Sequence, residues 1–254
     1  MIEAVIFDLD GTLYVGGTAV PGAVKKLEEL RSQGTKVLFL TNSASRNREG
    51  VALKLSSMGY TAHKEEVYCG SYLLARYIAE KHPGKKVFVV GDKGMSDELD
   101  EAGVETVEKG ADIVAAGLDH AFTYEKISKA LNELRKGAIF IASNTDPTYP
   151  TEKGDMPGAG AIVGSIECAS GIKPHVIGKP NCYALDLIKK NCNLRNDEIM
   201  MVGDRLDTDI EFAKKCGIKS ALVFSGDCKE KDIGETVPDY VFRSVAELTL
   251  PSGP

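Results

Sequence analysis

No C-x-x-C pair occurs among the six cysteines, and the four histidines, His63, His82, His120 and His175, keep no metal-ligand spacing with them or with one another. That excludes the usual zinc frameworks. Cys69, Cys168, Cys182, Cys192, Cys216 and Cys228 are expected to be reduced thiols. A basic run is missing too. With 31 basic against 37 acidic side chains the formal charge is −6, so nucleic acid and anionic membrane, both of which are held by clustered Lys and Arg, are not expected as partners. No apolar stretch approaches the ~20 residues of a membrane-crossing helix. The opening Met1-Ile2-Glu3-Ala4-Val5-Ile6-Phe7-Asp8 lacks a basic region and meets an acid after four apolar residues; no export signal is read, and a cytoplasmic chain is expected. Low-complexity tracts and solenoid repeats are absent as well.

A hydrophobic content of 43% over 254 residues suffices for one large or two modest cores. Short apolar runs alternate with segments of helical period, the pattern of β-α units on a parallel sheet, so the expected class is α/β. The candidate strands are Ala4–Phe7, Val37–Leu40, Val87–Val90, Ile113–Ala116, Ile139–Ala142, Val176–Ile177, Ile199–Val202 and Ala221–Phe224. Helices are expected over Pro21–Gln33, stopped by Gly34, over Tyr72–Lys81, and over Tyr124–Lys136, stopped by Gly137. Breaks fall at Cys69-Gly70-Ser71 and at Ser170-Gly171-Ile172-Lys173-Pro174, and the stretch between them has enough elements for an α/β insert. Ser143 to Gly160, with three prolines, shows no clear period and reads as a long loop.

In an open parallel sheet, ligands bind beyond the carboxyl ends of the strands. Residues at those ends are Asp8-Leu9-Asp10-Gly11-Thr12, Thr41-Asn42-Ser43, Gly178-Lys179-Pro180 and Gly203-Asp204-Arg205-Leu206-Asp207-Thr208-Asp209. Asp8 and Asp204 are hard oxygen ligands suited to Mg2+. Lys179 adds a point charge, Thr41 a hydroxyl, and the backbone at Gly11 can approach an anion closely because no Cβ intrudes. These are the parts of a phosphoryl-transfer site, where positioning and charge neutralisation carry the chemistry.

Taken in order, Asp8-Leu9-Asp10-Gly11-Thr12-Leu13 after a strand, Thr41-Asn42, Lys179, and Gly203-Asp204 with Asp209 five residues on resemble the four motifs of the haloacid dehalogenase (HAD) superfamily of aspartyl-phosphate phosphatases. The long insert between the second and third motifs is similar to that of its NagD/p-nitrophenyl phosphatase branch. The resemblance implies a doubly wound, Rossmann-like parallel-sheet core over residues 1–77 and 175–254 and a smaller inserted α/β cap over 78–174. It implies Mg2+-dependent hydrolysis of a small phosphorylated metabolite, in a monomer or a homodimer. Asp8 would be the nucleophile. Asp10 would meet the metal through its carbonyl and use its carboxyl as acid and base, Asp8 and Asp204 would bind the metal, and Asp209 would orient bound water or Lys179 from behind. Gly11, Thr41, Asn42 and Ser43 would bind the phosphoryl group with Lys179, and Tyr149 the leaving group, with Glu152 and Lys153 as further contacts.

Each motif has a plainer reading. A calcium loop starting at Asp8 would need Gly at its sixth and Glu at its twelfth position, where Leu13 and Ala19 stand. Thr41-Asn42-Ser43 alone would be a turn, and Lys179 alone a solvated lysine. Thr208-Asp209-Ile210-Glu211 reads as a capping box opening a helix to Gly217. Gly91-Asp92 with Asp97 repeats the five-residue acid spacing of Asp204 and Asp209; motif order selects Asp204 and leaves Asp92 as a βα-turn residue. Two rivals have other chemistry. A phospho-acceptor or sugar-phosphate-binding regulator without turnover would keep a stable phospho-aspartate, and a dinucleotide-binding fold is weakened because no G-x-G-x-x-G follows the first strand. An alcohol acceptor in place of water stays open.

Overall fold

A computed structural model describes residues 1–151, 154–226 and 228–251. In chain order the elements are β1 (Ala4–Phe7), β2 (Tyr14–Val15), β3 (Thr18–Ala19), α1 (Ala23–Ser32), β4 (Lys36–Thr41), α2 (Arg48–Ser57), β5 (Val67–Cys69), α3 (Gly70–Lys81), β6 (Val87–Val90), α4 (Lys93–Glu101), β7 (Ile113–Ala116) and α5 (Tyr124–Arg135). They continue with β8 (Ile139–Ala142), β9 (Thr148–Thr151), β10 (Gly154–Pro157), α6 (Ala159–Ser170), β11 (His175–Val176), α7 (Tyr183–Cys192), β12 (Ile199–Gly203), α8 (Glu211–Cys216), β13 (Lys219–Val223) and β14 (Tyr240–Phe242). No helix among the described residues is long and apolar enough to cross a membrane.

Two compact units result. The first takes residues 1–41, 52–68 and 179–254, the second 42–51 and 69–178. Residue 77 falls inside α3, whose twelve residues all belong to the second unit. Helices do not split where the chain crosses between cores: α3 buries Leu73, Leu74, Ala75 and Ile78 along one continuous face.

The first unit is built on a six-stranded sheet in the order β14-β13-β12-β1-β4-β5. β1 pairs in parallel with β12 on one side and β4 on the other, with Phe7 opposite Val202 and Phe39. Every residue of β1 and β12 is buried, as continuous apolar runs must be when helices cover both faces. From β1 the chain builds outward to β4 and later returns to build the other way through β12 and β13, so the strand order reverses beside β1. Ligand crevices form at such a reversal.

The second unit has its own parallel sheet, β11-β8-β7-β6, closed by Phe88, Val114, Leu134, Phe140, Ile162 and Ile166. α5 starts where expected: Thr123 Oγ1 accepts from Lys126 N–H at 3.3 Å, an N-cap. Three expectations are corrected. The loop from Ser143 to Gly160 contains a hairpin, β9 pairing antiparallel with β10, where ladder hydrogen bonds hold a strand that Pro and Gly obscure in the pattern. The capping box at Thr208 is replaced by a π-helical turn, Leu206–Ile210, running into α8 without a side-chain cap. Cys182 and Cys216 form a disulfide, their Cα atoms 5.6 Å apart across 34 residues of sequence; the fold joins the start of α7 to the end of α8, a proximity no local spacing encodes.

Candidate active site

Asp8 follows the last residue of β1, and its N–H donates to the Val202 carbonyl at 2.8 Å, which ties the end of β1 to β12. The next five residues fold back tightly. The Leu9 carbonyl accepts from Leu13 N–H at 2.8 Å, and Gly11 N–H donates to the Tyr14 carbonyl at 2.8 Å. Gly11 has φ +84°, the left-handed region, and a Cβ there would lie 2.3 Å from Asp204 Oδ2. Only glycine satisfies both demands.

Lys179 is 4% exposed. Its ammonium donates to Asp8 Oδ1 at 2.6 Å, Asp209 Oδ1 at 2.6 Å and the Leu40 carbonyl at 3.2 Å. The solvated-surface reading is thereby excluded, because burying an ammonium needs paired carboxylates. Burial pushes its pKa down, but Asp209 and Asp8 outweigh that and hold it above the usual lysine value. It is a fixed positive charge.

Asp204, at the end of β12, is 2% exposed and accepts from Thr12 Oγ1 at 3.3 Å. Asp209, on the π-helical turn, is 1% exposed; its Oδ2 accepts from Arg205 N–H at 3.2 Å while Oδ1 takes Lys179. Gly203 leaves room for it, since a Cβ there would meet Asp209 Cγ at 2.2 Å. Oxygens of Asp8, Asp204 and Asp209 all lie within 4.8 Å of one another. Three carboxylates against one ammonium leave a formal charge of −2, and Asp8 shows the strain of it. Burial raises its pKa well above the usual carboxylate value, Lys179 opposes, and Asp209 and Asp204 push it further up. A divalent oxygen-seeking cation would relieve this crowding, and the all-oxygen donor set fits Mg2+.

Asp8, Gly11, Thr41, Lys179, Asp204 and Asp209 thus belong to one unit, with Thr41 buried at the end of β4. Asp10 is half-buried and bridges to Tyr14; its carboxylate is not part of the three-acid cluster. Asn42, Ser43 and Tyr149 belong to the second unit. There Asn42 Nδ2 donates to Asp146 Oδ2 at 3.2 Å, and the Asn42 carbonyl accepts from Asn144 Nδ2 at 2.7 Å. The Ser43 carbonyl accepts from Gly70 N–H at 2.9 Å. Tyr149 Oη meets His120 Nε2 at 3.1 Å, and His120 Nδ1 meets Asp92 Oδ2 at 2.6 Å. Asp92 stands in the turn between β6 and α4, as expected, and there it meets His120. Glu152 and Lys153 lie outside the described residues.

Thr12 stood in the first motif without a role of its own, and Ser225 and Gly226 escaped the motif reading. Ser225 Oγ donates to the Gly11 carbonyl at 2.7 Å. Ser225 stands two residues past the end of β13, where the strand-end rule, applied once more, would have found it.

The chain matches the haloacid dehalogenase-like hydrolase family over residues 5–105 and a HAD-hydrolase-like family over residues 176–248. It is 35% identical to an acid sugar phosphatase of Staphylococcus saprophyticus over 249 residues, 97% of this chain and 96% of that one. The crystal structure of 4-nitrophenylphosphatase from Thermotoga maritima superposes with a TM-score of 0.93 at 33% identity, covering 97% of this chain and 95% of that one. Glycerol phosphate phosphatase from Mycobacterium tuberculosis, in complex with magnesium, superposes with a TM-score of 0.91 at 33% identity, covering 96% and 76%.

Proposed function

The chain belongs to the haloacid dehalogenase-like hydrolases, in the NagD/p-nitrophenylphosphatase branch with an inserted α/β cap, and from that membership we propose that it is a Mg2+-dependent phosphomonoesterase acting on small phosphate monoesters, sugar phosphates among them. The observation that carries the proposal is the Lys179 ammonium held 2.6 Å from both Asp8 and Asp209, with Asp204 in the same acid cluster. In this reading the first unit is the catalytic core and the second the cap that selects substrate, Ser43 and Tyr149 among its contacts. The chain works in the cytoplasm, as a monomer or homodimer that sedimentation distinguishes.

Asp8 and Asp204 would hold the cation, with the Asp10 carbonyl. When bound it supplies positive charge that keeps Asp8 ionised and offsets the phosphate. The Asp8 carboxylate attacks phosphorus, the bond from phosphorus to the ester oxygen breaks, and the Asp10 carboxylic acid gives its proton to the departing alkoxide. The Asp10 carboxylate then takes a proton from water, whose oxygen attacks the aspartyl phosphate. The bond from phosphorus to Asp8 breaks, inorganic phosphate leaves, and Asp10 is protonated again. Lys179 stays charged throughout, and Asp209 keeps it aimed at Asp8. Thr41, the Gly11 turn and the Asn42 backbone N–H hold the phosphoryl oxygens.

The test is a panel of phosphomonoesters with and without Mg2+. Asp8→Asn and Asp10→Asn should each lose at least ~10² in turnover, the size of lost acid/base or nucleophilic assistance, and chelator should abolish activity. Undiminished turnover in Asp8→Asn refutes the mechanism. A phosphorylated Asp8 that persists without turnover establishes the non-enzymatic regulator instead.

A further inference from the structure

Asp204 is enclosed by more than the four motifs provide. A Cβ on Gly226 would lie 2.0 Å from Asp204 Oδ2, 2.6 Å from its Cγ and 2.7 Å from the Gly11 Cα. One residue earlier, Ser225 Oγ donates to the Gly11 carbonyl at 2.7 Å across 214 residues of sequence. Oδ2 is therefore wedged between two glycine backbones while Thr12 Oγ1 takes Oδ1 at 3.3 Å.

The plainer reading, a glycine needed to bend the chain after β13, fails on the backbone. Gly226 is not among the residues with positive φ, so a left-handed backbone is not what reserves the position for glycine. What forbids a side chain is the Asp204 carboxylate together with the Gly11 backbone, whose Cα lies 2.7 Å from where the Cβ would stand. We infer that Ser225 and Gly226 are positioning residues that clamp Asp204 against the Gly11 turn and so set the divalent-cation affinity of the acid cluster. The inference rests on the proposed phosphatase reading for its cation. The physical ground is that a ligating carboxylate free to turn loses much of its affinity, and residues behind a ligand commonly change metal binding by about 10- to 100-fold when altered. Ser225 ties down the Gly11 turn, and Gly226 packs on the same carboxylate oxygen beside it.

The experiment titrates wild type, Gly226→Ala, Ser225→Ala and Ser225→Thr with Mn2+ by electron paramagnetic resonance, and measures turnover and the metal-free melting temperature alongside. Gly226→Ala should bind Mn2+ roughly 10- to 100-fold more weakly at a temperature where circular dichroism shows it folded; its metal-free melting temperature should also fall, because the added methyl presses on the Gly11 backbone. Ser225→Ala should weaken binding several-fold, and Ser225→Thr, which keeps the hydroxyl, should restore it. Wild-type Mn2+ affinity in a folded Gly226→Ala overturns the clamp even if the wild type hydrolyses phosphomonoesters. Should Gly226→Ala not fold, unchanged affinity in Ser225→Ala overturns it equally, as does a wild type that binds no Mn2+. Weakened binding in the variants with no turnover in any protein supports the clamp and refutes the phosphatase reading.

Discussion

Replacing Lys179 by methionine keeps most of the unbranched side chain and removes its charge from a buried position between Asp8 and Asp209. At 2.6 Å and an effective dielectric near 20, each of the two attractions amounts to roughly 6 kcal/mol before the cost of desolvating the charges is counted. Desolvation consumes much of that, and removing one partner of a buried pair destabilises proteins by about 3–5 kcal/mol, since the other charge stays buried without its counter-ion. Lys179→Met should lower the unfolding free energy of the metal-free protein by about that amount. The sequence contains no tryptophan, so the assay is urea unfolding followed by far-UV circular dichroism. Adding Asp209→Asn to the variant removes one of the stranded charges and should return roughly 2 kcal/mol, a coupling within the range for contacting residues. A Lys179→Met protein as stable as wild type, or a double variant no more stable than the single one, refutes the view that this ammonium neutralises a crowded acid cluster.

Three further outcomes are expected. Reduction of Cys182–Cys216, or Cys216→Ser, should lower stability by about 4 kcal/mol, the chain-entropy value for closing a loop of this length, read from urea midpoints with and without a dithiol reductant; equal midpoints contradict it. Asp239 is raised by partial burial but lowered more by bonds from Lys219 and Ser220, so its folded pKa lies below the usual carboxylate value. Its contribution is present above the unfolded value near 3.8 and is lost as pH falls through the folded one. Asp239→Asn should therefore cost up to about 1 kcal/mol at pH 7, limited by solvent screening, and progressively less as acid protonates the folded carboxyl; a loss that does not shrink with falling pH refutes the charge argument. Glu98, 2% exposed, accepts from Arg48 N–H at 2.6 Å and faces the Arg48 guanidinium at 3.3 Å. Glu98→Ala should destabilise the second unit by about 1–2 kcal/mol, because the Arg48 N–H loses its acceptor while the guanidinium keeps Glu101 at 2.8 Å, which the melting curve reads directly.

The parallel strands were legible because burial on both faces demands unbroken apolar runs. Val87–Val90, Ile113–Ala116 and Ile139–Ala142 came out to the residue. The antiparallel pair Thr148–Thr151 and Gly154–Pro157 did not, since its stability comes from cross-strand ladder bonds and its prolines and glycine usually mark turns. The π-helical turn at Leu206–Ile210 has no side-chain signature, and its sequence imitates a capping box.

The order of four strand-end motifs pointed to Asp8, Lys179, Asp204 and Asp209, which the fold brings together, because the sheet delivers strand-end residues at predictable places; the part given to Asp10 belongs to the proposed mechanism. Asp92 and Asp97 carry the same spacing as Asp204 and Asp209, yet Asp92 meets His120 and Asp97 meets Lys93. Spacing along a chain records local geometry alone. Which acid meets which base, which sulfurs join, and which glycine is pressed against a carboxylate depend on segments brought together from far apart, and only the folded backbone supplies those distances.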